Sequence, residues 1–376
     1  MKNKILKYDF LIIGSGLIGS LLGIALLKQK FRVLVVDKQI ISKNTNADQR
    51  TLAVNANSRD FLQSINLWKL LDNQHASIEK ITIETFQTNE KLIFEDKTNS
   101  LGSVIYNKTL LSLARRDLIK KKALIDGVSI NIDDLKAKKF INIKNQKYLF
   151  KKIILVGGKQ LKTQIDIKNY HIGSTNHKAY VGFFSHKINH KNIAYENFTE
   201  IGPLAILPVP DKTNKKSTFI YSSANVMSHK KIQELIRKHF SKTHGHINLS
   251  KKFFSYSISP YLFNPKKKYH SFLFIGDSFR SIHPVAGQGW NLGIKDIQSL
   301  INLLKTDSLD SKNFNEIYYS RRKIESFIYF YFTQLINKTF EKNNLINKFI
   351  GISSLKLLKK FGFLRDFFVN RATGKN

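Results

Sequence analysis

Between Tyr8 and Asp37 the chain leaves little choice about how its first domain is built. Tyr8-Asp9-Phe10-Leu11-Ile12-Ile13 is an apolar run of strand length, and it ends at Gly14-Ser15-Gly16-Leu17-Ile18-Gly19. An apolar helical pattern then reaches Leu27, and a second strand, Arg32 to Val36, closes on Asp37. Two strands joined through a helix pair in parallel, so the segment predicts an α/β sheet covered by helices. Gly14 permits a tight turn, Gly16 admits a pyrophosphate against bare backbone, and Gly19 lets helix and strand pack closely. Asp37 falls about 20 residues further on, where a carboxylate accepts ribose hydroxyls. A lone G-x-G-x-x-G is a weak signal. Inside a complete strand–helix–strand unit it points to a dinucleotide.

A later segment reads as the other half of such a site. Leu273 to Ile275 is a short buried strand running into Gly276-Asp277, and His283-Pro284 precedes a glycine-rich bend, Gly287-Gln288-Gly289. From Trp290 and Asn291 a helical apolar pattern begins, with Leu292, Ile294, Ile297, Leu300, Ile301 and Leu304. The first amides of a helix lack partners and sit at the positive end of its dipole, so such a start is an anion site. With Asp277 just before it, the segment suits a ligand carrying hydroxyls and phosphate, a ribityl-phosphate cofactor. The competing reading is an ordinary strand–turn–helix, with glycines for the turn and Asp277 as a cap.

Length and composition narrow the class. With 376 residues, 42% of them apolar, the chain can form two domains and a sizeable core. It has no cysteine, which removes disulfides, thiolate nucleophiles and sulfur metal sites and fits a reducing compartment. His186 and His190 have metal-like spacing for a helix, but strand and loop patterns flank them, so no metal site is expected. The net charge of +35 favours anionic partners. Its lysines are scattered, and no basic run carries a nucleic-acid fold signature, which leaves a membrane surface rather than nucleic acid. Lys2, Lys4 and Lys7 before the uncharged run Phe10 to Leu27 imitate a signal peptide. Asp9, the glycine spacing and the lack of a small-residue cleavage site before Lys28 oppose that reading. The expected location is cytoplasmic, peripheral to the inner face of the membrane.

Along the chain, Ile78 to Phe86 and Lys91 to Glu95 suggest a hairpin, Thr109 to Lys122 a helix, and Tyr148 to Val156 a buried strand. Ala179 to Ser185, Leu204 to Pro208, Thr218 to Ser223 and Phe253 to Ser259 read as strands of a mostly antiparallel sheet. The expected organisation is a discontinuous cofactor domain over residues 1–72, 105–172 and 265–312. A substrate domain occupies 73–104 and 173–264, and a helical region 313–376. In the last region Leu345, Phe349, Ile352, Leu355 and Leu358 recur at helical spacing among Lys348, Lys356, Lys359 and Lys360. That pattern fits a docked helix or a basic amphipathic face on a membrane.

With both cofactor segments in hand, the chain resembles the class A flavoprotein aromatic hydroxylases, and within them the polyprenylphenol hydroxylases of ubiquinone biosynthesis. The resemblance runs over most of the chain. It is carried by Asp48-Gln49-Arg50-Thr51-Leu52-Ala53 with Ser58 and Ile65-Asn66-Leu67-Trp68, and by Ala194-Tyr195-Glu196-Asn197-Phe198-Thr199 with Gly202 to Pro208. The run from Gly276 to Asn291 is its most specific part; Arg321-Arg322 and Arg371-Ala372-Thr373-Gly374 are further points of likeness.

The resemblance implies a Rossmann-like, glutathione-reductase-like FAD-binding domain with an inserted sheet and C-terminal helices. It implies an FAD-dependent monooxygenase in which O₂ adds at the flavin C4a and the hydroperoxide transfers oxygen to a polyprenylated phenol. Gly14, Gly16, Gly19 and Asp37 would hold the ADP half, and Asp277 the ribityl chain. Gly287, Gln288, Gly289 and Asn291 would border the flavin pyrimidine, His283 and Pro284 the face where oxygen reacts, and Arg50 the flavin edge. One departure stands out. Where the family has a carboxylate after this strand, Ile153-Ile154-Leu155-Val156 leads to Gly157-Gly158-Lys159. The electron donor therefore stays open between NAD(P)H and a partner reductase. So do two rival roles, a flavoprotein scaffold of a quinone-biosynthesis complex and a hydroxylase of another aromatic or lipid.

Overall fold

Strand β1 (Leu6–Ile13) runs through the middle of a parallel sheet, with Ile13 opposite Val36 of β2 (Val33–Val36) and opposite Leu155 of β10 (Gln146–Leu155). The computed structural model describes residues 5–41, 50–85, 91–95, 100–137, 140–158, 170–173, 177–200, 202–264, 271–283 and 288–341. Beyond β2 lies β8 (Leu124–Ile125), and beyond β10 lies β19 (Phe272–Phe274), both parallel to their neighbours. The late segment thus rejoins the sheet begun by the first residues. Strand β9 (Phe140–Ile143) forms an antiparallel hairpin with β10.

Helix α1 (Leu17–Lys28) links β1 to β2, and everything from Gly19 to Leu26 is buried. A strand buried on both faces and a helix apolar all round are what the core of an α/β layer requires. Gly23 lets the helix sit on the sheet, because a Cβ there would lie 2.9 Å from Val35 Cγ2. The apolar run that imitates a signal peptide is therefore a core element. Among the described residues no helix is long and apolar enough to cross a membrane. Helix α3 (Asn107–Lys120) packs beside α1 through Leu110, Ala114 and Leu118, and a short α4 (Ile132–Ala137) precedes β9.

The larger sheet has the order β16 (Ile247–Leu249), β12 (Lys178–His186), β15 (Lys216–Ser223), β14 (Gly202–Pro208), β13 (Ile193–Thr199), β5 (Lys80–Thr85), β6 (Lys91–Glu95). Strand β17 (Phe254–Ser257) also pairs with β12. All its pairings are antiparallel except β13 with β5. Helix α5 (His229–His244) joins this sheet's core, burying Ile232, Ile236 and Phe240 with Phe184, Phe219 and Tyr221. The sequence reading saw only strands in this block. The spacing of Ile232, Leu235, Ile236 and Phe240 after a Ser228 cap, whose side chain accepts from Lys231 N at 3.3 Å, is the signal it passed over.

Two small antiparallel sheets complete the fold. In one, β7 (Gly102–Tyr106) is flanked by β3 (Thr51–Val54) and β4 (His75–Ile78). In the other, β18 (Tyr261–Phe263) is flanked by β11 (Tyr170–Ile172) and β20 (Arg280–Ser281). Residues 102–106 thus pair with a strand of the first segment and carry residues 75–78 on their other side, in a sheet separate from the larger one. Helix α2 (Ala56–Ser64) follows β3, α6 (Gln288–Thr306) opens two residues before Trp290, and α7 (Phe314–Glu341) runs for 28 residues. The apolar spacing from Leu345 to Leu358 lies outside the described residues, as do Lys159, Pro284 and Gly287.

Candidate functional site

Gly14 leaves β1 with a φ of 110°, a region closed to most side chains, and a Cβ there would meet the Val156 carbonyl oxygen at 2.8 Å. Gly19 sits so close that a Cβ would lie 2.0 Å from the Gly14 carbonyl oxygen. Gly16 differs: a Cβ there would find nothing within 4 Å. The first and last glycines serve the fold's own packing, while the middle one borders open space. Helix α1 starts at that space with no side chain capping it, so its positive end is available to an anion.

Asp37 closes the loop from the other strand. Its Oδ2 accepts from Ser15 N at 2.6 Å and from Ser15 Oγ at 2.8 Å, and its Oδ1 from Gln39 N at 2.9 Å. From α3, Arg115 Nε donates to the Ser15 carbonyl at 2.8 Å. Burial lowers the Arg115 pKa, against the pull of Asp37 and Asp126. Sequence reading missed Arg115, because beside Arg116 and Lys120 it looks like one more surface cation.

The second glycine segment reaches the same place. Gly276 has a φ of 62°, and a Cβ there would lie 3.3 Å from Ile18 Cγ2; one at Gly293 would lie 2.7 Å from Ile18 Cδ1. Ile18, in the first turn of α1, plugs the gap between the Gly276 turn and α6. The two glycine-bearing segments, far apart in sequence, meet on this one side chain. Asp277 is exposed on the turn Gly276–Ser278, and its Cβ lies 3.9 Å from where a Gly158 Cβ would be. Gly158 N donates to Ser278 Oγ at 3.1 Å, and Tyr261 Oη donates to the Asp277 carbonyl.

A buried acid fixes that turn. Asp296 of α6 is fully buried and accepts from Gly276 N at 3.0 Å, from Arg280 Nη1 at 3.0 Å on both oxygens, and from Arg322 Nε at 2.8 Å. It too was missed, although an acid three residues after Gly293 on the apolar face of a predicted helix is a readable anomaly.

The remaining expected residues divide. His283 is 1% exposed, and both ring nitrogens lack a hydrogen-bond partner among the described residues. Burial, with nearby His177 at a ring distance of 6.0 Å, lowers its pKa to about 4, so it is neutral at pH 7. His177 lies just before β12, so this contact faces the larger sheet. Arg50 is exposed, its carbonyl accepts from Asn107 N at 3.0 Å, and its guanidinium carbon lies 5.7 Å from the Tyr256 ring centre on β17. Asn291 has its side chain engaged: Nδ2 donates to Ala53 O at 2.9 Å, and Oδ1 accepts from Ser58 Oγ at 2.7 Å and Asn55 N at 3.3 Å. That side chain braces the link from β3 to α2. Gln288 and Gly289 open α6, and a Gly289 Cβ would meet only Ile282 Cγ1, at 4.0 Å. The His186 and His190 rings meet edge to face, 6.1 Å apart, but His186 spends its nitrogens on Ile188 O and Ser217 Oγ. Among the described residues no group of such side chains is placed to hold a metal.

No protein-family profile matches the chain. It is 25% identical over 327 residues to the ubiquinone hydroxylase UbiL of Rhodospirillum rubrum, covering 79% of this chain and 72% of that one. It is 23% identical over 472 residues to the mitochondrial ubiquinone biosynthesis monooxygenase COQ6 of Dictyostelium discoideum, covering 100% and 92%. By sequence, the chain is similar to the ubiquinone hydroxylases. Its fold matches that of pqsL, a probable FAD-dependent monooxygenase from Pseudomonas aeruginosa, with a TM-score of 0.69, 14% identity, and 93% and 100% of the two chains covered. The fold is that of the FAD-dependent monooxygenases.

The residues present fit FAD. Open space at Gly16 before an uncapped helix suits a pyrophosphate, and Asp37 at the end of β2 is placed for a ribose. The exposed carboxylate of Asp277 beside Gly158 suits ribityl hydroxyls. His283, just past β20, supplies a buried imidazole with no hydrogen-bond partner among the described residues.

Proposed function

We propose that this protein is an FAD-dependent monooxygenase that hydroxylates the aromatic ring of a polyprenylated phenol on the route to ubiquinone. The observation that carries the reading is the meeting of the Gly14–Gly19 loop with the Gly276–Asp277 turn on Ile18, in a chain similar to named ubiquinone hydroxylases. When bound and reduced, FAD activates O₂, one atom of which enters the ring while the other leaves as water.

The protein's own part is holding and shielding. The start of α1 and Gly16 receive the pyrophosphate, Asp37 the ribose, and Asp277 the ribityl hydroxyls. The start of α6, with Gly287, Gln288, Gly289 and the Asn291 backbone, gives its positive end to the flavin pyrimidine. His283 and Pro284 border the reacting face, where a neutral imidazole can accept a proton at one nitrogen and donate at the other. Arg50, against Tyr256, sits where the cofactor side meets the larger sheet. The parallel sheet and its helices form the discontinuous cofactor domain, and the larger sheet with α5 forms the substrate domain.

The partners are the phenol, O₂ and an electron donor, either NAD(P)H or a partner reductase. A membrane surface is a further partner. On α7, Ile324, Phe327, Ile328, Tyr331 and Leu335 follow helical spacing and are between 40% and 72% exposed. Such a stripe on a chain of charge +35 suits an anionic bilayer, where a prenylated substrate resides.

The test has two parts. Purified protein should show flavin absorption, and deleting the gene should leave a quinone precursor short of one ring hydroxyl. Protein that stays colourless with excess FAD, or an unchanged quinone profile, refutes the reading.

A further inference from the structure

Where α1 ends, α2, α6 and α7 leave between them a cleft of about 810 Å³, within the range of small-molecule sites. It lies at the opposite end of α1 from the glycine loop, about 18 Å along a helix of twelve residues. Five cations line it, Lys28, Lys295, Lys305, Arg321 and Arg322, against two carboxylates, Asp60 and Glu325. Both carboxylates are engaged: Glu325 with Lys295 at 2.9 Å and with Arg322, Asp60 with Arg59 at 3.9 Å. Lys28 donates to Ser64 O, and Arg321 lies 3.7 Å from Asp307.

Arg322 is the decisive residue. It is 6% exposed, with Nε on Asp296 and Nη1 on Glu325, yet its Nη2 is buried with no partner among the described residues. A guanidinium held rigid by two acids, with one donor unmatched, is prepared for a further oxyanion.

We propose that this cleft binds a phosphate ester, with Arg322 and Lys305 supplying the positive charge and Asn57, Gln298 and Asn302 meeting its polar remainder. A dianion answers the cationic excess better than a single carboxylate. The ester is a soluble metabolite or a phospholipid headgroup. The inference does not depend on the hydroxylation proposed above, and its test reads binding alone.

The test measures glycerol 3-phosphate by calorimetry and phosphatidylglycerol vesicles by co-sedimentation, using wild-type protein and two variants. Lys305→Glu reverses a charge in the cleft while sparing the buried Arg322 pairing, and Lys230→Glu does the same on α5, outside it. The expected result is saturable binding weakened about tenfold or more by Lys305→Glu. Lys230→Glu should change it by less than about twofold, because a remote exposed charge is screened. That pattern with glycerol 3-phosphate assigns a soluble ester; the same pattern with vesicles alone assigns a headgroup. Absence of binding to either probe, or equal weakening by both variants, overturns the site.

Discussion

Replacing Asp296 with Asn tests how the cofactor turn is held. The side chain keeps its shape and loses its charge, leaving the Arg280 and Arg322 side chains, 2% and 7% exposed, with Glu325 paired to Arg322. Breaking a buried ion pair by removing one partner costs about 3–5 kcal/mol, because an uncompensated charge stays inside. Unfolding entropy of about 2.1 cal/mol/K per residue, taken over 376 residues, converts this loss into a Tm lowered by about 4–6 °C. The exposed pair Lys151–Asp310, at 3.0 Å with side chains 48% and 68% exposed, is the control. Lys151→Ala should cost about 1 kcal/mol at most. Scanning calorimetry reads both variants, and flavin absorbance per protein reads the turn, since Gly276 N loses its carboxylate acceptor. An Asp296→Asn protein melting within about 1 °C of wild type with full flavin content would refute the claim that this cluster positions Asp277.

Gly16→Ala should leave the melting temperature of flavin-free protein unchanged yet cut flavin content severalfold, because its methyl enters open space; full flavin retention would contradict a pyrophosphate there. Burial and the neighbouring histidines hold His190 down to about 4 and His244 to about 3, so both stay neutral in the folded protein near pH 5. Unfolded, each takes a proton near pH 6.5, so their stabilisation is complete above that value. It fades as pH falls toward 4, by about 2 kcal/mol per ring at pH 5 and not additively. Urea titrations at pH 7.5 and 5.0 should show the loss as a lower midpoint at pH 5.0, and His244→Phe should reduce it; equal midpoints at the two pH values would count against the assignment. Ile324→Glu with Leu335→Glu should weaken pelleting with phosphatidylglycerol vesicles severalfold, and unchanged pelleting would remove α7 as the membrane face. Stopped-flow reduction by NADPH should be slow in wild type and faster in Lys159→Asp; identical rates would dismiss charge at Lys159 as the reason.

What the sequence made legible was mostly local. Apolar runs of strand length and glycines at fixed spacing located β1, α1 and β2, because burial on both faces leaves few polar positions to blur the pattern. The return of Phe272–Phe274 to the first sheet was legible for the same reason. Helix α5 was not, since its apolar stripe occupies one face of a strongly charged segment bracketed by strands. The pairing of β3, β4 and β7 was hidden too, because which strands share a ladder is settled by tertiary contact.

At the site the difference is one of single residues against pairs. Sequence motifs marked Gly14, Gly16, Gly19, Asp37 and Asp277 by residue type and position. They could not mark Ile18, one apolar side chain among many, although it closes the gap between the two halves. Nor could they separate Asn291 as a ligand from Asn291 as a brace, because its partners Ala53 and Ser58 are more than two hundred positions away. Asp296 shows the rule most plainly. An acid on an apolar helix face can be noticed in isolation, but its meaning depends on Gly276, Arg280 and Arg322 arriving from three other elements. Removing both arginines would turn the same carboxylate from a fastener into a liability, since burying charge is tolerable only where partners and hydrogen bonds match it.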